Sequence, residues 1–298
     1  MIKTVAIVAP GNMGAGIGWL LHSHGARIVT SVQGRSPESE KRARSAGFDI
    51  VDTDDALVAA ADVILSVLPP SNAIDNARRF APVLARASRK PIFVDCNAIA
   101  PATALAVEAV IAETGAPFVD GGIIGMPPRP GSVGTRVYIS GESAAPVEAL
   151  RNFGLDVVRL EGAVGAASAL KLSYAMLGKV FTGLGASMML AADRWGVSDA
   201  LIAQLEASEA PFVSVLKRRV PDMYSKAYRW IGEMEEIAAF LGDDDPGART
   251  LLLGAAGVFT QIAKEYDEGG LSSDDIAVMQ RFLSGFASSA RARETAIA

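Results

Sequence analysis

The stretch APGNMG, residues 9–14, is the first place where residue types and spacing could do chemistry. It follows the apolar run TVAIV and opens the helical pattern MGAGIGWLL, the placement of a phosphate-cradling turn between strand and helix. In the usual G-x-G-x-x-G spacing the middle glycine admits a pyrophosphate to the backbone, and the third lets the helix pack on the strand. Gly11 and Gly14 occupy those places, with Asn12 and Met13 between them at the start of the helix. Ala9 stands where the first glycine is usual. The exchange is expected to hold with a negative φ at Ala9, because Pro10 biases the preceding residue towards an extended conformation. Ala9 to Gly14 thus read as a dinucleotide-binding turn.

The end of the second strand-like run, RIVTSV, bears on which dinucleotide. A turn built for NAD(H) carries an Asp or Glu there for the ribose 2′-hydroxyl. Here the chain continues QGRSPES, with no acid before Glu38. Arg35 and Ser36 instead offer a cation and a hydroxyl suited to a 2′-phosphate, so NADP(H) is expected over NAD(H). Ser36 also precedes Pro37 as a helix N-cap, and the two roles are compatible. Arg129 is the only charge in the loop MPPRPGSVGT. It is a candidate for holding an anionic substrate group, with a plain surface arginine as the alternative. His22 and His24 lack nearby Cys, Asp or Glu clusters, so no metal site is expected. Cys96 ends a strand-like run and reads as a small buried residue, not a nucleophile.

These residues need a scaffold, and the pattern of the chain supplies one. Apolar runs at 4–9, 27–32, 61–68, 91–96, 117–123 and 136–141, with a shorter FDIV, alternate with helical stretches. Strands apolar on both faces and separated by helices imply a mostly parallel sheet covered on both sides. After about Gly162 only helical patterns follow: a long one from Val164 to Trp195, then SDALIAQL, YRWIGEMEEIAAFL and LSSDDIAVMQRFL. The expected fold is a Rossmann-like doubly wound α/β domain over residues 1–162, then an all-α domain over 163–298 that begins with a long interdomain helix. The chain of 298 residues has a net charge of −5, which argues against nucleic acid as a partner. Lys171, Lys179, Asp193 and Arg194 interrupt the apolar helix, so it does not read as a membrane span. With one cysteine and no signal-like N-terminus, a cytoplasmic protein is expected.

The motifs GNMGAGIG, SVLPPSNA, VDCNAIAPAT, FVDGGIIG and VGAASALKLSYA resemble, in order and spacing, the β-hydroxyacid dehydrogenase and 6-phosphogluconate dehydrogenase superfamily. The likeness spans roughly residues 4 to 195. The later RWIGEMEEI resembles a bacterial branch whose helical domain was long catalogued without a function. The resemblance implies that Leu68 and Pro69 lie beside the cofactor and that Lys171 is the catalytic lysine. It places Asn97 and Ala98 at the nicotinamide-bordering loop, where Ser and Thr are usual. The substrate loop becomes DGGIIGM, so Gly122, Ile123 and Ile124 line the substrate, with Ile124 at a position usually held by serine. The family's asparagine, three or four residues after the lysine, is replaced by Tyr174 or Ala175. Tyr174, at i+3, shares a helical face with Lys171 and could supply a hydroxyl.

The function expected from these readings is NADP(H)-dependent hydride transfer to or from a hydroxy/keto substrate at the domain cleft, by a homodimer, with Lys171 as general acid/base. Imine reduction, and an NADP-binding regulatory protein without turnover, are the alternatives. Glu233 and Glu236 share a helical face, and one of them turned to the active site would favour a neutral or cationic substrate group.

Overall fold

The computed structural model describes the backbone of residues 2–131 and 134–297, with side chains as far as Phe286. Ser132 and Val133 of the proline-rich loop therefore lie outside the described residues. The chain forms two compact units, Met1–Ser173 and Tyr174–Ala298.

The first unit is built on β1 (Thr4–Val8), whose TVAIV is buried from Val5 onward and sits centrally in an eight-stranded sheet. Its partners are β2 (Arg27–Ser31), β3 (Asp49–Val51), β4 (Val63–Ser66), β5 (Ile92–Asp95), β6 (Phe118–Ile124), β7 (Arg136–Ser140) and β8 (Asp156–Arg159), in the order β3-β2-β1-β4-β5-β6-β7-β8. Every pairing is parallel except β6 with β7. Parallel neighbours need a crossover element, and only a loop joins β6 to β7, so that pair runs antiparallel. The strand β8 was not expected. Its DVVR is too short to display a periodicity.

Crossovers of one hand put α1 (Asn12–Ser23) and α2 (Pro37–Ser45) on one face of the sheet, joined by a 3₁₀ segment, Ala145–Phe153. The helices α3 (Asp54–Ala60), α4 (Ala73–Arg86) and α5 (Pro101–Ala112) cover the other. On that second face Phe80, Phe93 and Phe118 pack ring on ring at 6.1 and 6.4 Å. Each such buried ring contributes about 1.5–3 kcal/mol through the area it removes from water.

The second unit is helical. It holds most of α6 (Ala166–Arg194), with α7 (Ser198–Ser208), α8 (Ala210–Tyr224), α9 (Ala227–Leu241), α10 (Pro246–Gly269) and α11 (Asp274–Ile297). The DDDPGA stretch between α9 and α10 is a helix start, since Asp245 Oδ1 accepts from the Ala248 N–H at 3.0 Å and Pro246 follows at the first helical position. By length and composition alone α6 would cross a membrane, yet half of its apolar stretch is buried within the protein. Lys179, buried on that helix, is matched by Glu233 of α9 at 2.6 Å, and the Trp230 ring lies 5.4 Å from the ammonium. A charge desolvated to this degree requires such a partner.

Candidate active site

The glycine turn lies at the carboxyl end of β1, beside β4, where the strand order reverses direction and where open α/β sheets bind ligands. Ala9 carries φ +62° rather than the negative value expected. The physical reason is the tightness of the turn. The Gly11 N–H reaches back to the Ala9 carbonyl at 2.7 Å, Pro10 has its φ fixed by its ring, and the reversal falls on Ala9. A Cβ at Gly14 would stand 2.8 Å from the Ala9 carbonyl oxygen, so that glycine is required by packing. Gly11 differs. Its φ is −69°, and a Cβ there would meet nothing within 4 Å. Neither the backbone nor any neighbour in the protein demands glycine at 11, whereas a phosphate drawn up to the backbone would. The start of α1 has no side-chain cap and no acid in its first turn, leaving its N–H groups and positive dipole end for an anion. The residues from Ala9 to Gly14 fit a dinucleotide pyrophosphate.

Two further loops reach the same edge. Leu68 and Pro69 follow β4, and Asn97 follows β5. Asn97 is buried, and its amide is engaged within the protein. Its Oδ1 accepts from the Leu68 N–H at 2.5 Å, while Nδ2 donates to Ser66 Oγ at 3.2 Å and to Asp95 Oδ2 at 2.9 Å. The amide that the resemblance sets beside the nicotinamide is thus turned to the protein itself, and Asn97 ties the Leu68 loop to β5. Beneath it, burial pushes the Asp95 carboxyl up to about 7, and the nearby Asp120 charge adds to the effect against two donors from Asn97. Burial, with the Asp95 and Asp120 charges, also drives the Cys96 thiol well above its ordinary value, so it is no nucleophile.

Asp120 pairs in register with Asp95 on the neighbouring strand, and it anchors α6. Its Oδ2 accepts from the Gly165 N–H (2.9 Å), the Ser168 N–H (3.0 Å) and Ser140 Oγ (3.0 Å), and its Oδ1 from Ser168 Oγ (2.6 Å). Ser140 Oγ in turn accepts from the Ala167 N–H at 3.0 Å. The first N–H groups of α6, which have no partners within the helix, are thus satisfied by a buried carboxylate and a hydroxyl. Gly122 completes the seat: a Cβ there would stand 2.7 Å from the Ala167 carbonyl oxygen and 3.0 Å from Lys171 Cβ. Lys171 is held against the carboxyl half of β6, half-buried. Alternation along β6 sets Ile124 on the face of Gly122 and Asp120, towards Lys171. Ile123, on the other face, belongs to the core beneath α1 at 6% exposure, which corrects its expected place in the substrate wall. Tyr174, one turn beyond Lys171 on α6, is 58% exposed.

Arg35 is half-buried close to Arg79, which is itself fixed by two 2.7 Å bonds to Asp54. Burial chiefly, then the Arg79 charge, lowers the Arg35 pKa against the opposing pull of Asp54. Ser36 caps α2, accepting from the Ser39 N–H at 3.3 Å. Arg129 is exposed on its loop. Glu233 faces Lys179, and Glu236 is half-buried on the same helix. Among the described residues no group of three His, Cys, Asp or Glu could hold a metal.

A glycine turn at the switch point of a doubly wound sheet, followed by a helical unit, is a dinucleotide-binding fold of the kind dehydrogenases share. Residues 4–151 match the NAD binding domain of 6-phosphogluconate dehydrogenase, and residues 192–268 match a domain of unknown function, DUF1932. The chain belongs to the 6-phosphogluconate dehydrogenase-like, β-hydroxyacid dehydrogenase superfamily. It is 29% identical over 215 residues to an uncharacterised 28.5 kDa protein of Methanothermus fervidus, covering 72% of this chain and 81% of that one. Mycobacterium tuberculosis 3-hydroxyisobutyrate dehydrogenase, solved with L-serine, superposes with a TM-score of 0.69 at 21% identity, covering 94% of this chain and 99% of the other. An imine reductase from Myxococcus stipitatus in complex with NADP⁺ gives a TM-score of 0.55 at 20% identity, with 94% and 99% covered. These two share the fold.

Proposed function

We propose that this protein is an NADP(H)-dependent oxidoreductase acting on a hydroxy/keto pair, with Lys171 as general acid and base. The observation that carries the reading is the seat of Lys171. Asp120, Ser140 and Gly122 fix the start of α6 so that the lysine stands at the carboxyl end of β6. That is the sheet edge which also bears the glycine turn and the Leu68 loop. Nicotinamide, when bound, supplies or accepts the hydride. Lys171 Nζ gives a proton to the substrate oxygen as the carbonyl is reduced and recovers it in the reverse direction. Leu68, positioned by Asn97, borders the cofactor, and Ile124 gives the substrate an apolar wall. Tyr174 contributes a hydroxyl one turn further along the helix. The 2′-phosphate is held at Arg35 and Ser36, where two guanidinium groups already lie close together and an anion would relieve them. We place the protein in the cytoplasm as a homodimer.

Imine reduction is the second reading. It is favoured by the apolar Ile124 and by the tyrosine where an asparagine is usual, and the likeness to a reductase solved with NADP⁺ is in keeping with it. The deciding experiment assays NADPH oxidation and NADP⁺ reduction against hydroxyacids, alcohols, ketones and cyclic imines. Lys171→Ala is expected to lower turnover about 10²–10⁴-fold while NADP⁺ affinity stays within about threefold. Equal turnover by variant and parent would remove Lys171 from its role. Cofactor binding without turnover by either form would leave a regulatory protein, and a preference for NADH would overturn the assignment of Arg35.

A further inference from the structure

On the flank of α1, where it faces α2, lies a cavity of ≈ 430 Å³ that shares Asn12 with the glycine turn but holds none of the groups of the proposed hydride transfer. That volume is in the range of small-molecule sites. Its existence depends on Gly16: a Cβ there would stand 2.8 Å from the Pro128 carbonyl oxygen, so the loop after β6 seats on α1 only because residue 16 lacks a side chain. One turn along the same helical stripe, half-buried Trp19 forms a flat apolar wall, and Pro127 and Pro128 form another.

The charged part of the lining is of one sign. Lys41 and Arg42 of α2 and Arg129 of the loop all line the cavity, and among the described residues no carboxylate does. Arg42 is held in place before any ligand arrives, its Nε donating to the Pro10 carbonyl at 3.1 Å and an Nη to Ser39 Oγ at 3.2 Å. Two guanidinium groups and an ammonium, from α2 and the loop after β6, exceed the charge of one carboxylate and suit a phosphate dianion. The cavity adjoins the expected 2′-phosphate position through Ser39, whose Oγ lies 3.2 Å from Ser36 Oγ and accepts from Arg42, but the Arg35 side chain turns away from it. Arg35 feels Arg79 and Asp54, which belong to α4 and α3 on the opposite face of the sheet.

We propose that this cavity binds a phosphate ester bearing a flat apolar group, at the same time as the cofactor. The phosphate meets the cations, and the apolar group lies between Trp19 and the prolines. Titration calorimetry of the full-length protein, saturated with NADP⁺, tests it with phenyl phosphate and inorganic phosphate as probes. Phenyl phosphate is expected to bind at one site, at least about tenfold more tightly than inorganic phosphate, and to quench Trp19 emission. Lys41→Glu is expected to weaken phenyl phosphate at least about tenfold with NADP⁺ affinity retained. Ser45→Glu, also in the lining, repeats the test should the first variant melt early. Phenyl phosphate binding only in the absence of NADP⁺ would show that the probe occupies the cofactor's own phosphate site, and the proposal would fail. Binding undiminished in both variants would equally overturn it.

Discussion

Ala9 alone among the described non-glycine residues holds a positive φ, +62°. A left-handed conformation costs an L-residue about 1–2 kcal/mol, and the tight turn into α1 holds it there. Ala9→Gly is therefore expected to raise stability by about 1 kcal/mol, because glycine adopts this φ without strain. Urea unfolding at constant m-value measures it, and a lowered midpoint would refute the strain. Asp95 governs a pH effect of opposite character. Its folded pKa, about 7, lies above the ordinary value, so its contribution is fully present below pH 4 and is lost as pH rises through 7. Over that window the parent is expected to lose up to about 1.4 kcal/mol per pH unit relative to Asp95→Asn. Parallel stability–pH curves for the two proteins would exclude Asp95 as the titrating group. At this scale the sequence was only partly readable. Gly11, Gly14 and the Ser36 cap follow from local spacing, since their roles involve neighbours within a few residues. The committed amide of Asn97 and the inward turn of Ile123 depend on Leu68, Asp95 and the core, which local spacing does not reveal.

Among the elements, α6 matters most, because its start fixes Lys171. Asp120→Ala would strip acceptors from the Gly165 and Ser168 N–H groups and from Ser168 Oγ in a buried setting. Buried donors left unpaired cost about 1–3 kcal/mol each, so a loss of about 3 kcal/mol or more is expected in thermal or urea unfolding. Asp120→Asn, which keeps one oxygen, should recover part of it, and a stability equal to the parent's in Asp120→Ala would show that the anchor is idle. This anchor joins residues 45 and 48 positions apart, which explains why DGGIIGM displays its glycines to a reader but hides the task of its aspartate. The elements themselves were more legible. The strands β1, β2, β4, β5, β6 and β7 are written as short continuous apolar runs, and the helices between them in a period of 3.6. β8 is four residues long, and α8 carries Pro221 within it, so neither shows a clean period. The antiparallel turn of β7 reflects a missing crossover helix, a feature of connection rather than composition.

For the molecule as a whole, the helical unit leaves large apolar side chains in water. Leu177 and Leu184, seven residues apart on one stripe of α6, are 76% and 66% exposed. Leu184 stands at an apolar recess with Phe181, Met188, Leu205, Phe212 and Leu216, and the Phe181 and Phe212 rings stack at 5.3 Å. Exposed patches of this kind mark interaction surfaces, and a second copy of the chain is the occupant the proposed homodimer supplies. A stable symmetric interface needs roughly 800 Å² from each partner, with an apolar centre free of unpaired charge. Leu184→Arg would set a cation at that centre while leaving the fold of a single chain alone, because the residue is already mostly exposed. Sedimentation velocity is expected to find the parent as a dimer at micromolar concentration and the variant as a monomer with an unchanged circular dichroism spectrum. A dimeric variant would move the interface elsewhere, and a monomeric parent would end the proposal. The activity of the monomeric variant then carries separate information. Retained turnover would show that one chain holds every group the reaction requires, whereas loss of turnover with NADP⁺ binding intact would show that a second chain completes the substrate side.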